Sequence, residues 1–434
     1  MKQILRWSMV LVVLIVATVF GYDSKTKAQT TSSNLENVVV GVPDSMKTAP
    51  FDRERSLNIP KGFQISVVAR VSKARFLAVA PNGDVLVSQP ASGSVKLIRG
   101  SSVTDFVTGL NQPHDIVFHK IAAKTFVYIA QTNQVTRYPY QFGDLKGKNP
   151  EVIVPNLPDA SLPELGGRYG HALKNIAIDQ DHKLYVSIGS SCNVCLNDTK
   201  ANPVRGSVYV YDADGSNPKL FARGIRNAEG LDFVPETNEL WVVVNNRDNA
   251  PYPYQKDFDG DGSNDYGKLM QAFVDNYPPE PFTKVVSGGD YGWPFCNSNA
   301  ENGLDNMPFD RDMDLNKDGQ NRDCNKINRV SKGIQAHSAP LGVSFLNDSS
   351  FPLPYREGVV SALHGSWNRA KKTGYKVIFF PWKDGKPGVE QDLVTGFLEG
   401  QGVWGRPVDA VPDNNGGLLI SDDYSGTVYR LAKK

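Results

Sequence analysis

The chain has 434 residues, 47 basic against 46 acidic side chains, a formal charge of +1, 39 glycines and 28 prolines. This length accommodates one large all-β domain or two ordinary ones, and the many turn-forming residues favour short strands over long helices. The balanced charge argues against an electrostatic surface for nucleic acid or for an anionic membrane.

The N-terminal segment has the composition of a targeting signal. Lys2 and Arg6 precede an apolar run over residues 7–20, and polar residues follow the run. This predicts a secretory signal peptide over residues 1–28, with an uncleaved N-terminal anchor as the alternative, since the run is short for a full span. We expect residues 29–55 to form a flexible leader, and residues 56–434 to form one domain of a periplasmic or extracellular protein.

Four cysteines occur in the chain: Cys192, Cys195, Cys296 and Cys324. An even number in an exported protein favours disulfides, and Cys296 and Cys324 are expected to pair across an acidic loop. Cys192 and Cys195 have the spacing either of a small disulfide ring or of a metal-binding or redox pair. No second Cys-x-x-Cys completes a zinc site, and Leu196 stands where a c-type haem motif has histidine.

A strand–turn–strand unit recurs along the chain. Its six copies begin at Phe76, Asp115, Asn175, Gly230, Leu341 and Val408. Because one such unit cannot bury its own faces, radial repetition is expected, and the fold class predicted is an all-β, six-bladed β-propeller. An array of β-sandwiches is the alternative. The unpaired segment of residues 63–69 is expected to complete the last blade and close the ring.

Polar residues recur in the loops that precede the first strand of these units. They are Gln112, His114, His171, Arg226, Asn227, His337 and Arg406, and a further loop adds His364, Trp367 and Arg369. Loops of all blades meet at one end of a propeller channel, so these side chains are expected to surround one cavity. His171 is then placed for proton transfer near neutral pH, the alternative being a capping histidine.

Five motifs carry a family resemblance. They span residues 224–230, 289–294, 337–342, 364–369 and 405–409. Together they resemble the glucose/sorbosone dehydrogenase family, above all its pyranose/sorbosone branch, from about Ile59 to Leu431. Members of this family are six-bladed propellers that use pyrroloquinoline quinone (PQQ) and calcium. The resemblance implies PQQ and Ca²⁺ as cofactors, a sugar as substrate, and a quinone or cytochrome as electron acceptor.

The resemblance also assigns roles to individual residues. His171 matches the catalytic base. The matches to cofactor-contacting positions are Gln112 and His114 over the cofactor rim, Arg226 and Asn227 at the quinone, and Arg406 at its carboxylates. Asn246 and Arg247 match the backbone carbonyls that bind calcium. The chain departs from the soluble glucose dehydrogenases in having Gly170 before the base, Lys174 and Asn175 after it, and Val408 in place of a second arginine.

The chemistry of PQQ agrees with this residue set. PQQ is a planar trianion that requires cations for its carboxylates and a planar partner for its face. Arg226, Arg369, Arg406 and Trp367 supply such groups, and His337 adds a further polar contact.

Two acidic loops have the oxygen-ligand spacing of calcium loops. The first contains Asp257, Asp259 and Asp261, and the second Asp314, Asn316 and Asp318. Neither ends in the glutamate of an EF-hand. Structural calcium is the favoured interpretation, and a solvated acidic turn is the alternative.

The sequence therefore favours PQQ-dependent oxidation of an aldose or related sugar. One alternative is a calcium-dependent hydrolase of the lactonase type, which requires metal-binding carboxylates at the channel where this chain is predicted to be cationic and rich in histidine. The other is a non-catalytic propeller that binds carbohydrate or protein.

Overall fold

The computed structural model describes residues 34–346 and 351–434. The predicted signal peptide lies outside these residues. The leader predicted to be flexible is corrected in part, because Leu35–Val39 forms a strand paired antiparallel with Ser56–Pro60. No helix in the described part of the chain is long and apolar enough to cross a membrane.

Six sheets form the blades of a propeller, which confirms the predicted fold class. The first blade consists of Leu77–Val79, Val85–Gln89, Ser94–Arg99 and Ser102–Val107. The second consists of Ile116–Ile121, Lys124–Ala130, Val135–Tyr140 and Glu151–Val154. The third consists of Ile176–Ile178, Lys183–Ile188, Ser207–Asp212 and Lys219–Arg223, with Gly289–Asp290 added in parallel.

The later blades carry longer insertions. The fourth consists of Ala228–Phe233, Leu240–Val244, Glu280–Val285, Val330–Ile334 and Asp305–Met307. The fifth consists of Pro340–Leu346, Gly358–Leu363, Lys376–Lys383 and Gln391–Val394, with Lys386–Pro387 beside it. The sixth consists of Pro407–Pro412, Gly417–Asp422, Thr427–Lys433 and Phe63–Arg70.

Only short elements lie outside the blades in the described ranges. Two small hairpins are formed by Cys296–Ser298 with Phe309–Arg311 and by Leu398–Glu399 with Gly402–Val403. The helical segments are the α-helix Gln271–Val274 and the 3-10 turns Asp44–Met46, Pro90–Ser92, Pro163–Leu165 and Asn197–Lys200.

The ring closes by pairing the two ends of the domain. Phe63–Arg70 runs antiparallel to Thr427–Lys433, with Ile65 opposite Leu431. This confirms that the unpaired N-terminal segment completes the last blade. The innermost strand of each blade contacts the innermost strand of the next blade in chain order. The innermost strand of the sixth blade contacts that of the first blade.

The apolar core lies between neighbouring blades. In Lys124–Ala130, Tyr128 faces the third blade and packs in one cluster with Val186, whereas Ile129 faces the first blade and packs with Leu97. Successive side chains of a strand point to opposite faces, so a strand with a blade on each side is apolar at consecutive positions. Each such buried side chain contributes about 1.5–3 kcal/mol.

Three aspartates, two of them buried and Asp232 half-buried, join blades near the channel. Each carboxylate accepts the N–H of the following residue and, across a blade boundary, an N–H of the next blade. The pairs across the boundaries are Asp115 with Ile176 at 2.9 Å, Asp232 with Phe345 at 2.8 Å and Asp409 with Leu77 at 3.0 Å. We call these three contacts the aspartate bridges. They join the second blade to the third, the fourth to the fifth, and the sixth to the first.

We expect Asp409→Ala to lower the free energy of unfolding by about 2–5 kcal/mol, because the buried N–H groups of Leu77 and Ala410 lose their acceptor. Thermal unfolding followed by calorimetry at one scan rate measures the effect. Asp52→Ala, at an exposed aspartate, is the control and should change stability by less than about 0.5 kcal/mol. Equal melting temperatures for the two variants would contradict a structural role for the bridge.

Candidate active site

The hydrogen bonds of His171 determine its tautomer. Its Nδ1 lies 2.9 Å from both the carbonyl oxygen and the Oγ of Ser190. The Ser190 hydroxyl donates its own hydrogen to the Cys192 carbonyl at 2.9 Å. Both Ser190 oxygens therefore accept from His171, so Nδ1 carries the proton and Nε2 keeps its lone pair. Within the described ranges, Nε2 has no hydrogen-bond partner.

The surroundings keep this imidazole neutral. Burial, and next the positive charge of Arg226, lower the pKa of His171 to about 4. A neutral imidazole with a free Nε2 is the form that accepts a proton from a hydroxyl group.

A glycine brings His171 and Asn227 together. A Cβ at Gly189 would meet Asn227 Oδ1 at 2.6 Å and the Cβ of His171 at 2.7 Å. Only a residue without a side chain allows both groups to lie over this point of the third blade. His171 of the third blade and Asn227 at the start of the fourth blade are thereby neighbours.

A buried carboxylate fixes the Asn227 side chain. Asn227 Nδ2 donates to Glu229 Oε1 at 2.9 Å, and His114 Nε2 donates to Glu229 Oε2 at 3.1 Å. These donors hold the pKa of Glu229 below its usual range although burial opposes them. With Nδ2 committed to Glu229, the Asn227 amide has a defined orientation.

The predicted place of His114 over the cofactor rim is wrong. The side chain is fully buried, and its ring packs on Phe76 with the ring centroids 4.6 Å apart. It lies behind Glu229 and supports Asn227. Gln112, two residues earlier, is exposed on the same loop and has a φ of 47°, in the left-handed region.

Arg226 is held on several sides. Its Nε and Nη2 donate to the Asn193 carbonyl and to Asn193 Oδ1 at 3.2 and 3.1 Å. Nη1 donates to the Asn245 carbonyl at 3.1 Å, and Nη2 donates to Asp248 Oδ2 at 3.3 Å. A guanidinium has five N–H groups, so one on Nη1 is left for a ligand.

Asp248 is the centre of a second cluster. Its Oδ1 lies 3.5 Å from His337 Nδ1 and accepts from Asn368 Nδ2 at 3.2 Å. His337 Nε2 donates to the Val274 carbonyl at 2.7 Å. Although burial opposes it, Asp248 raises the pKa of His337. His337 is therefore an anchoring donor, and it lacks the free lone pair that distinguishes His171.

Asn246 and Arg247 follow the second strand of the fourth blade. The Asn246 amide N–H donates to Glu280 Oε2 at 2.5 Å, and the Asn246 side chain donates to the Pro279 carbonyl at 2.8 Å. The Arg247 side chain is buried and forms an ion pair with Asp312. The backbone carbonyl oxygens of Asn246 and Arg247 accept no hydrogen bond from the described residues. Burial raises the pKa of Glu280 to about 7.

The loops of the fifth and sixth blades complete the polar set. Arg406 Nε and Nη2 donate to the carbonyls of His364 and Gly365 at 2.9 and 3.1 Å. Arg369 Nη1 donates to the Ala336 carbonyl at 3.3 Å. Trp367 is 72% exposed, so its indole lies on the surface of the loop rather than against a buried face.

The two acidic loops differ in the structure. Asp257, Asp259 and Asp265 bring ligand oxygens within 4.8 Å of one another, whereas Asp261 is not part of this group. Asp265 was not among the predicted ligands.

In the second loop, the predicted residues have other partners. Asp314 forms an ion pair with Arg247 at 2.6 Å. The buried Asn316 bonds the backbone of Asn321 and Arg322, and Asp318 accepts the Gln320 N–H.

All four cysteines form disulfides, Cys192 with Cys195 and Cys296 with Cys324. The predicted pairing of Cys296 with Cys324 is confirmed. Cys192 and Cys195 form the small disulfide ring, which was one of the two interpretations of their spacing.

Residues 57–434 match the family model described as TrAA12-like. The chain belongs to the TrAA12-like family. This agrees with the resemblance to PQQ-dependent pyranose dehydrogenases seen in the sequence motifs.

Individual relatives are distant. An uncharacterized protein of Borreliella burgdorferi is 24% identical over 89% of this chain and 93% of its own length. A pyrroloquinoline quinone-dependent pyranose dehydrogenase of Coprinopsis cinerea is 23% identical over 87% of this chain, which spans 54% of that enzyme. The holo form of the PQQ domain of the C. cinerea pyranose dehydrogenase superposes with a TM-score of 0.69 at 18% identity, covering 91% of this chain and all of that domain.

Several site residues were not predicted from the sequence. Glu229 lies two positions after Asn227, at a register shift near the start of the strand Ala228–Phe233, so period-two alternation alone did not identify it. Asp248 lies near the start of the long segment between Leu240–Val244 and Glu280–Val285, and Glu280 is the first residue after that segment, so no sequence pattern links them.

The pKa of His171 gives a pH prediction. Because burial and Arg226 lower this pKa from 6.5 to about 4, the imidazole of the protein without added ligands should remain neutral until the pH falls to about 4. Histidine-labelled NMR across pH 3–8 measures the titration, and loss of one signal in His171→Asn assigns it. A midpoint near 6.5 would rule out the buried, neutral base.

Proposed function

We propose that the protein is a PQQ-dependent dehydrogenase that oxidises an aldose or another pyranose sugar at its anomeric carbon. The observation that carries the proposal is the free Nε2 lone pair of a neutral His171, which packs beside Asn227 and close to the guanidinium of Arg226. The names of the C. cinerea relatives support the cofactor and the substrate class.

The residues present fit PQQ. Arg226 keeps one free N–H, and Arg406 and Arg369 add positive charge for the carboxylates of a planar trianion. Ser338 Oγ and Asn368 Oδ1 are buried without a hydrogen-bond partner in the described ranges, as expected for groups that face a polar ligand. When bound, PQQ supplies the acceptor for the hydride equivalent, and the protein supplies binding and orientation.

The segment around Asn246 fits a calcium ion. The carbonyl oxygens of Asn246 and Arg247 are free of hydrogen bonds to described residues. The carboxylate of Asp248 adds negative charge beside them, and the carboxyl group of Glu280 adds further oxygen atoms. Hard oxygen donors of this kind suit Ca²⁺, whose charge would polarise the acceptor. The solved calcium structure of the Trichoderma reesei AA12 protein supports calcium in this fold.

The chain's own residues then have distinct tasks. His171 Nε2 takes the proton of the anomeric hydroxyl as the C–H bond is broken. The two oxygens of Ser190 accept Nδ1–H throughout, so they hold the ring in place and stabilise the imidazolium that forms. Asn227, oriented by Glu229, and Arg226, oriented by Asn193 and Asp248, fix the position of the acceptor relative to the base.

The alternatives have less support. A lactonase-type hydrolase requires free carboxylates that converge on a metal in the channel, but both oxygens of Asp115, Asp232 and Asp409 accept backbone N–H groups. A non-catalytic propeller leaves the free Nε2 of His171 without a use.

We further propose that the protein is exported and passes its electrons to an external quinone or cytochrome. The N-terminal composition and two disulfides support export, because disulfides persist in oxidising compartments.

His171→Ala should lower the rate of the reductive half-reaction by about 10²–10⁴-fold while PQQ still binds, because a positioned base is lost. Arg406→Ala should instead weaken PQQ binding, because a charge-assisted contact is lost. Stopped-flow reduction and PQQ titration separate the two effects. His119→Ala is the control on a blade strand and should match the wild type. Near wild-type turnover of His171→Ala at saturating PQQ, calcium and sugar would refute the assignment.

Structural calcium is proposed at Asp257, Asp259 and Asp265. Chelation should then lower the melting temperature, since a ligand bound to the native state stabilises it. Calorimetry with and without chelator measures this, and Asp259→Ala should abolish the contribution of this site. Asp318→Ala, in the loop whose predicted ligands do not converge, is the matched control. If Asp259→Ala leaves both the calcium content and the chelator effect unchanged, the loop is a solvated turn.

A further inference from the structure

The four-residue ring closed by Cys192 and Cys195 contains Asn193, which forms hydrogen bonds with Arg226, Trp293 and Asp248. The Asn193 carbonyl accepts from Arg226 Nε at 3.2 Å and from Trp293 Nε1 at 3.0 Å. Its Oδ1 accepts from Arg226 Nη2 at 3.1 Å and from the Asp248 N–H at 2.9 Å, and its Nδ2 donates to the Asp248 carbonyl at 2.8 Å. Asn193 therefore binds one edge of the guanidinium in the bidentate manner of a carboxylate and attaches it to the Asp248 backbone.

The same ring reaches the base on its other side. The Cys192 carbonyl accepts the Ser190 hydroxyl at 2.9 Å, and the Ser190 oxygens accept Nδ1–H of His171. The Ser191 hydroxyl lies 3.3 Å from Cys195 Sγ. One short covalent ring thus orients both the proposed base and the proposed cofactor-binding arginine.

The two disulfides differ in access to solvent. Cys192 is exposed and Cys195 is half-buried, whereas Cys296 and Cys324 are 3% and 8% exposed. Thiol–disulfide chemistry requires approach to a sulfur atom, so a reductant in solution reaches the ring at Cys192 first. Opening the ring leaves Asn193 on a free loop between Ser190 and Asp198 and removes the covalent restraint on its carbonyl and side chain.

We propose that Asn193 is a positioning residue for Arg226, and that the Cys192–Cys195 disulfide keeps it in place, so that the thiol–disulfide state of this ring controls cofactor affinity. The inference rests on the proposed function, since it concerns the same site.

A phosphine can reduce this disulfide in a balanced reaction. Phosphorus attacks one sulfur, the S–S bond breaks, and water converts the phosphonium to phosphine oxide. Phosphorus loses the two electrons that the disulfide gains, and two thiols result.

The variants test the contact first. Asn193→Ala should raise the Kd for PQQ, measured by quenching of tryptophan fluorescence, at least about tenfold, the equivalent of one hydrogen bond to a charged group. Its melting temperature should stay within a few degrees of the wild type. Asn197→Ala, at an exposed asparagine of the same loop, is the matched control and should leave Kd unchanged. A wild-type Kd for Asn193→Ala overturns the positioning role.

The redox dependence is tested with tris(2-carboxyethyl)phosphine and two double variants. Cys192→Ser with Cys195→Ser should have the raised Kd without reductant and show no further change with it. Cys296→Ser with Cys324→Ser should keep the wild-type response to the phosphine. A wild-type Kd in the first double variant, or no response of the oxidised wild type to reduction of this ring confirmed by mass spectrometry, overturns the inference.

A further measurement separates this inference from the proposed function. If the oxidised wild type binds no PQQ, the proposed function fails. The ¹⁵N signal of Arg226 Nε then still reports on the ring, because reduction should alter its hydrogen bond to the Asn193 carbonyl. An unchanged Arg226 signal after reduction overturns the inference.

Discussion

Closure of the ring is the constraint on which the site depends. The pairing of Phe63–Arg70 with Thr427–Lys433 makes the sixth blade from both ends of the domain. Without it, the loops of the first and last blades would have no fixed relation to each other. With it, His171, Arg226, His337 and Arg406, spread over more than 230 positions of the sequence, are placed by rigid strands rather than by the loops themselves.

The polar side chains of the site are held in place by hydrogen bonds to a second set of residues. Asn227 is oriented by Glu229, which His114 supports in turn, and Arg226 is oriented by Asn193 and Asp248. Ser190 determines which nitrogen of His171 bears the proton. Glu229 and Ser190 are buried, Asn193 and Asp248 are half-buried, and all four are hydrogen-bonded, so much of the cost of fixing the site is met on folding.

The sequence predicts this fold well because the relevant signals are local and repeated. Alternating apolar strands recur six times, and the polar residues precede the inner strands at equivalent points.

The supporting residues could not be placed in the same way, because most of their partners come from other blades and are brought to them by tertiary packing. His114 shows the difference: its place in the sequence matches the register of the other loops, yet its side chain turns inward to Glu229 because a buried carboxylate there needs a donor. Asp248 and Asn193 form hydrogen bonds between loops of different blades. Neither the hydrophobic period nor the residue spacing of the sequence indicates such a contact.

The aspartate bridges divide the ring into three two-blade sectors. Asp115, Asp232 and Asp409 tie the second blade to the third, the fourth to the fifth, and the sixth to the first. His171 belongs to one sector and Arg226 to the next, and the line between them is crossed by the hydrogen bond from the Ser190 N–H to the Arg226 carbonyl at 2.8 Å. The separation between His171 and Arg226 is therefore set at the boundary between the third and fourth blades. Because both side chains are positioned across this one boundary, a change in the packing of the third blade against the fourth would alter their separation without either residue being substituted.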